Sequence, residues 1–95
     1  MPAYVIADVN VTDPKLFEDY KKLVPPSLVN FGGKFLVRGG KVHPLEGGWE
    51  PKRFVICEFP SVEQARAWWE SPEYREARDL RWATAESQMI IAEGV

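Results

Sequence analysis

The sequence predicts an α+β domain whose elements run β-α-β-β-α-β. Three observations carry that prediction. Four short runs are rich in branched and aromatic residues, as half-buried strands are. Between runs one and two, and between three and four, apolar residues recur at helical spacing. Prolines and glycine pairs fall at the boundaries, where neither element has to tolerate them inside.

Tyr4–Val11 (YVIADVNV) reads as the first strand, closed by Thr12-Asp13-Pro14. Asp13 then starts a helix: its carboxylate can accept from first-turn amides, and Pro14 at the first helical position loses no useful donor. Leu16, Phe17, Tyr20, Leu23 and Val24 form the apolar face, which Pro25-Pro26 interrupts as a kink or a restart. Leu28, Val29 and Phe31 continue it until Gly32-Gly33. Lys34–Arg38 (KFLVR) is the second strand, ended by Gly39-Gly40, and Lys41–Lys52 is an irregular hairpin connection. Arg53–Phe59 (RFVICEF) is the third strand, closed by Pro60.

Ser61-x-x-Gln64 fits a capping box, in which the two side chains satisfy each other's backbone donors. Val62, Ala65, Trp68 and Trp69 supply that helix's stripe. Ser71-Pro72 repeats the cap-then-proline signal. The segment it starts turns Tyr74, Ala77 and Leu80 inward and Glu73, Glu76, Arg78 and Asp79 outward, ending near Thr84. Gln88–Glu93 is the fourth strand. This order is the ferredoxin-like arrangement, a four-stranded antiparallel-type sheet with helices on one face.

The 95 residues fit one domain spanning 1–95. Hydrophobic residues at 45% and charged residues at 27% sit at globular averages and exclude a disordered chain. Twelve basic against fourteen acidic residues give no electrostatic case for nucleic acid. The lone Cys57 cannot form an internal disulfide, which points to a reducing compartment, the cytoplasm. The N-terminus shows no signal peptide, and no run of about 18 apolar residues is present to span a membrane.

Parity then assigns faces. Val5, Ala7, Val9 and Val11, with Val55, Cys57 and Phe59, form clean apolar sets that should face the helices, leaving room for Trp68, Trp69 and Tyr74. The opposite set mixes Tyr4, Ile6, Phe54 and Ile56 with Asp8 and Glu58. It is too apolar to be fully solvated and too charged to be fully dry. A face-to-face homodimer with a wet, partly polar cavity between two sheets reconciles the two. With strands one and three adjacent and parallel, Asp8 and Glu58 would share one end, with Arg38 beside them.

The run Tyr20 … Phe31-Gly32-Gly33-Lys34-Phe35-Leu36-Val37-Arg38-Gly39-Gly40, then Leu45-Glu46-Gly47, Trp49 and Arg53, resembles the domain of unknown function 1330 family. So do Glu58-Phe59-Pro60-Ser61, Ala65, Trp68, and Ser71-Pro72-Glu73-Tyr74 followed by Arg81. The resemblance spans essentially the whole chain and implies a dimeric α+β barrel. Relatives of that fold include cofactor-free monooxygenases, muconolactone isomerase, haem-dependent enzymes and small ligand-sensing domains. The family has no agreed activity, so the resemblance carries no catalytic role onto any position.

Among the candidates, Asp8 and Glu58 could work as a general acid/base pair, since two carboxylates brought together make one a usable base. Arg38 and Arg53 would orient an anion. The competing reading is an interfacial salt-bridge network. His43 is the only histidine and a ligand-binding candidate, against a solvated loop histidine; no second ligand gives it metal spacing. Trp49 could lid the cavity with Tyr4 as a second wall, or anchor a partner subunit. The glycine pairs match no phosphate loop and read as turns. Cys57 reads as a buried small hydrophobe, Ser61 and Ser71 as helix caps, and Trp68 and Trp69 as packing. The last helix, with Arg75, Arg78 and Arg81 among acids, reads as an exposed, salt-bridged face.

Three functions follow as expectations. The first is a cofactor-free enzyme acting on a small planar or carbonyl-bearing molecule. The second is a ligand-binding or sensing module with the same cavity, and the third a purely structural homodimer.

Overall fold

The computed structural model describes residues 1–95. The elements are β1 (Ala3–Val11), α1 (Pro14–Leu28) with a 3-10 turn over Val29–Phe31, β2 (Lys34–Arg38), β3 (Phe54–Phe59), α2 (Val62–Glu70), α3 (Pro72–Thr84) and β4 (Ala85–Glu93). The strands form one antiparallel sheet in the order β2-β3-β1-β4, with all helices on one face. The expected ferredoxin-like order is present. The slab measures 35 × 34 × 16 Å along its principal axes. No helix is long and apolar enough to cross a membrane.

The element boundaries follow from local chemistry. The Asp13 carboxylate accepts from Leu16 N at 3.2 Å, with Pro14 in the first turn. α1 does not restart at Pro25-Pro26 but runs through both to Leu28. Gly32 stops it at φ +70°, the left-handed region where a side chain is disfavoured. Ser71 serves two helices: its hydroxyl donates to the Trp68 carbonyl at 2.7 Å and accepts from Tyr74 N at 3.2 Å. The Ser61 cap holds, accepting from Gln64 N at 3.2 Å. The reciprocal half of the capping box is absent, because the Gln64 amide reaches instead to the Phe31 carbonyl at 3.3 Å. β4 begins at Ala85, three residues before the expected Gln88. The Thr84 carbonyl accepts from both Thr12 N and Asp13 N, so the chain enters the sheet with no intervening loop.

The helix-facing parity is as read. Ala3, Val5, Ala7, Val9, Cys57 and Phe59 are buried beneath Phe17, Val24, Leu28, Ala65, Trp68, Tyr74 and Ala77. Trp68 stacks on Tyr74 at 4.0 Å between centroids and on Phe59 at 5.3 Å. Its indole Nε1–H donates to Ser27 Oγ at 3.0 Å, and Ser27 donates in turn to the Val24 carbonyl at 2.6 Å.

Three expectations are corrected. β1 and β3 are antiparallel, not parallel: β3 returns from β2 through a hairpin connection, and β2 is parallel to β1 across it. Asp8 therefore lies opposite Phe54 and Glu58 opposite Tyr4, putting the two carboxylates four residues, or about 13 Å, apart along the sheet. Arg38 lies on the helix side of the sheet, away from both. Register runs Lys34↔Glu58 and Phe35↔Cys57, then jumps to Val37↔Ile56 and Arg38↔Val55. The bulge spends one extra residue on β2 and reverses the parity of everything after it. Finally, α3 is not an exposed ionic face throughout. Arg81 is only 3% exposed, and Arg78 stacks over Trp69 and Trp82.

Candidate ligand-binding site

The reversed parity of Arg38 brings it to Arg53, which shares the helix-facing side with Val55 and Cys57. Arg53 immediately precedes β3, and its carbonyl accepts from Val9 N at 2.9 Å, so its backbone is held by the sheet. Its guanidinium lies over the Phe17 ring of α1 at 5.5 Å, while that of Arg38 lies over Phe35 at 4.4 Å. Gly39, at φ +73°, leaves the space that the Arg53 guanidinium occupies; a Cβ there would run into it.

Between α1 and the sheet lies a cavity of about 30 Å³, walled by Val5, Ala7, Val9, Val24, Val55 and Met89 among others. Arg38, Arg53 and Lys21 stand at its rim, and the depression outside adds Lys22 and Glu18. Glu18 pairs with Lys21 at 3.1 Å. Neither guanidinium has a carboxylate within 4 Å, the ion pairs being Lys21–Glu18, Lys34–Glu58 and Arg78–Asp79. Burial, and then the neighbouring Arg38 charge, lower the pKa of Arg53. Glu18, the one acid of that depression, is already paired with Lys21, so four basic groups against one carboxylate leave the mouth net positive.

Deeper in, the Tyr20 hydroxyl meets that of Tyr74 at 3.2 Å, and Arg81 Nε donates to Tyr74 Oη at 3.4 Å. Burial, and next the Tyr74 hydroxyl, push the Tyr20 pKa well above the usual phenol range. Burial pushes the Cys57 thiol up to about 12. Both groups therefore stay protonated at neutral pH, and no carboxylate or histidine lines the cavity.

The remaining sequence candidates lie elsewhere. The Asp8 carboxylate sits on the open sheet face, accepting from Lys52 N at 3.0 Å and Trp49 Nε1 at 3.5 Å. Trp49 is also edge-on to Phe54, 5.9 Å between centroids, so Asp8 ties the 39–53 connection to the sheet. Glu58 pairs with Lys34 at 3.2 Å on the same face, beside Tyr4. His43 is exposed in the connection, in a shallow depression with Leu45, Trp49 and Phe54. Sequence reasoning passed over Lys21 and Tyr20 as site residues. Helical spacing gave a signal for Tyr20, which sits on the stripe with Phe17 and Val24.

The fold and this site define a ferredoxin-like α+β protein whose cavity opens under a basic rim. The chain belongs to the family described as Domain of unknown function (DUF1330), which matches residues 2–95. Solved structures share the fold. A protein of unknown function from Rhodopseudomonas palustris is 22% identical with a TM-score of 0.79, the match covering 99% of this chain and 82% of that one. SnoaB from Streptomyces nogalater, a cofactor-independent oxygenase, is 12% identical with a TM-score of 0.68, over 99% and 93%. A dimeric ferredoxin-like protein of unknown function from Thermobifida fusca is 17% identical, TM-score 0.68, over 99% and 92%. No curated protein matches the chain.

Proposed function

We propose that this chain binds a small anion with a planar, apolar body, its charge held by Arg38 and Arg53 and its body between α1 and the sheet. One observation carries this reading: two adjacent guanidiniums with no carboxylate within 4 Å, over an apolar cavity. A carboxylate or enolate supplies the missing charge, and guanidinium is the side chain that grips such a group in two places. As it stands the cavity holds at most about two waters. The ligand enters by drawing Arg38 outward from the Lys21 carbonyl, to which it donates at 2.6 Å.

Binding is favoured over proton transfer, because the lining has no group that is a base at neutral pH. The catalytic reading, cofactor-free chemistry on a carbonyl-bearing molecule, has the likeness of fold to SnoaB behind it. Titration with salicylate and with neutral salicylamide, followed by NMR, tests the proposal. Salicylate should bind at least about tenfold tighter, and Arg38→Met with Arg53→Met should erase the difference. Equal binding of the two compounds sinks the reading.

We further propose a homodimer across the open sheet face, where Tyr4, Ile6, Ile56 and Ile90 gather with Trp49. Ile90 is 60% and Trp49 62% exposed, and the chain's surface of 6166 Å² exceeds the roughly 5,600 Å² expected for a compact monomer of this mass. Three structures of this fold are described as dimeric. Sedimentation should give twice 10.9 kDa, and Ile90→Glu should return it to a single folded chain. The free, buried Cys57 fits the cytoplasm as the compartment.

A further inference from the structure

A second basic site lies at the other edge of the helix layer. There α3 and the edge strand β4 leave a groove of about 450 Å³, lined by Arg66, Trp69, Arg81, Trp82, Ser87 and Ile90. That volume suits a one- or two-ring organic molecule. The groove shares Val5 and Met89 with the cavity described above, but its aromatic walls are different: Trp68 lines the cavity, Trp69 and Trp82 the groove.

Its floor is the unexpected feature. Arg81 is buried yet takes part in none of the ion pairs. Nε donates to Tyr74 Oη and Nη1 to Ser87 Oγ, while Nη2 makes no hydrogen bond in the chain. Only Arg78 Nε is both buried and unpartnered, so Arg81 Nη2 keeps its contact with solvent at the groove. A largely buried guanidinium with one free, reachable donor and no counter-charge suits an anion. The walls are aromatic: Trp69 and Trp82 meet edge to face at 6.3 Å, and Arg78 spans both rings at 5.0 and 4.8 Å. Arg78 Nε is buried without a hydrogen-bond partner; its nearest acid, the exposed Asp79, is 3.7 Å away. Arg66 adds a third positive charge at the exposed rim.

The geometry points to this groove as a second ligand site, one that takes a planar aromatic carboxylate. The carboxylate meets Arg81 Nη2 beside the Ser87 hydroxyl, and the ring lies against Trp82. Arg66 draws the anion in, and the β4 edge leaves the groove open to it. This site stands or falls independently of the cavity, since each has its own tryptophans.

The test is titration of the ¹⁵N-labelled full chain with 2-naphthoate, following the four indole N–H signals, with Trp69→Phe and Trp82→Phe to assign them. Saturable shifts of Trp69 and Trp82, larger than those of Trp68 and Trp49, are expected. The neutral 2-naphthamide should bind about tenfold more weakly or worse. Arg81→Gln should remove the preference for the acid. Because Arg81 is buried, Arg66→Gln and Trp82→Ala at exposed positions serve as well, each weakening naphthoate severalfold in a folded chain. Equal affinity for acid and amide, silence of Trp82, or undiminished naphthoate binding in both exposed variants overturns the site. Shifts confined to Trp68 assign the naphthoate to the cavity and also overturn it.

Discussion

The Arg38 guanidinium donates at 2.6 Å to the carbonyl of Lys21, the residue four positions before Pro25. In an uninterrupted helix the amide of residue 25 would take that carbonyl; proline has no amide hydrogen to give. The bulge in β2 that turns Arg38 toward the helices thus supplies the partner that Pro25 removes from α1. One residue of β2 both heals the helix and stands at the mouth of the cavity.

That relationship makes a double-mutant cycle informative. Arg38→Met alone should cost about 1 kcal/mol in urea unfolding, the worth of a solvent-accessible hydrogen bond from a charged donor. In a Pro25→Ala background the new amide bonds the Lys21 carbonyl, and the same Arg38 replacement should cost much less. Additive costs would show that Arg38 contributes by packing on Phe35 alone.

Much of the fold was legible because periodicity, caps and breakers agree: Asp13-Pro14, Ser61 and Ser71-Pro72 mark helix starts that the structure keeps. Site geometry was less legible, for a specific reason. Alternation carries Arg38 to the open face unless one residue is inserted into the ladder, and nothing in KFLVR announces the bulge at Leu36. A parallel pairing of β1 and β3 brings Asp8 and Glu58 together, where the antiparallel register separates them. Arg53 could have been read correctly, since it alternates with Val55 and Cys57. The burial of Arg81 follows from its place one turn beyond Ala77 on α3, where helical spacing already pointed inward, but its charge argued for solvent.

Gly39→Ala should damage the site and the fold together. The backbone at φ +73° disfavours any side chain by about 1–3 kcal/mol, and the methyl group displaces the Arg53 guanidinium. Gly40→Ala, whose Cβ meets nothing within 4 Å, is the control. Urea unfolding should separate the two, and salicylate affinity should fall only for the first.

Asp8→Ala tests whether that carboxylate positions the connection. Loss of its bonds to Lys52 N and Trp49 should speed amide exchange across 40–52 and cost about 1 kcal/mol or less. Salicylate binding at Arg38 and Arg53, on the other side of the sheet, should stay unchanged. A large loss of affinity would place Asp8 in the ligand site after all.

Stability should fall in alkali through Cys57. Its folded pKa of about 12 stands above the 9.0 of the free thiol, so below pH 9 the thiol is neutral in both states and its contribution is intact. As pH rises from 9 toward 12 the unfolded chain loses the proton first, and each pH unit removes at most about 1.4 kcal/mol. Tyr20, raised by burial, adds loss of the same sign at higher pH. Unfolding at pH 8 and pH 10.5 should show the decline, and Cys57→Ala should flatten its first part. An equal slope in the variant would assign the alkaline loss to other groups.

The hydrogen bond from Trp68 to Ser27 should weigh more than its size implies. Ser27→Ala removes one hydroxyl but strands the indole N–H in the core, where no water reaches it. An unpaired buried donor costs about 1–3 kcal/mol, against roughly 1 kcal/mol net for the bond itself. Ser27→Thr keeps the oxygen and adds a methyl group at a buried position, so it should restore the bond at some steric cost. If unfolding in urea shows Ser27→Ala within a few tenths of a kcal/mol of the parent, the indole has found another acceptor. Helix α1 would then keep its polar links through the Lys21 carbonyl and Tyr20, but not the one that now fixes its register against Trp68.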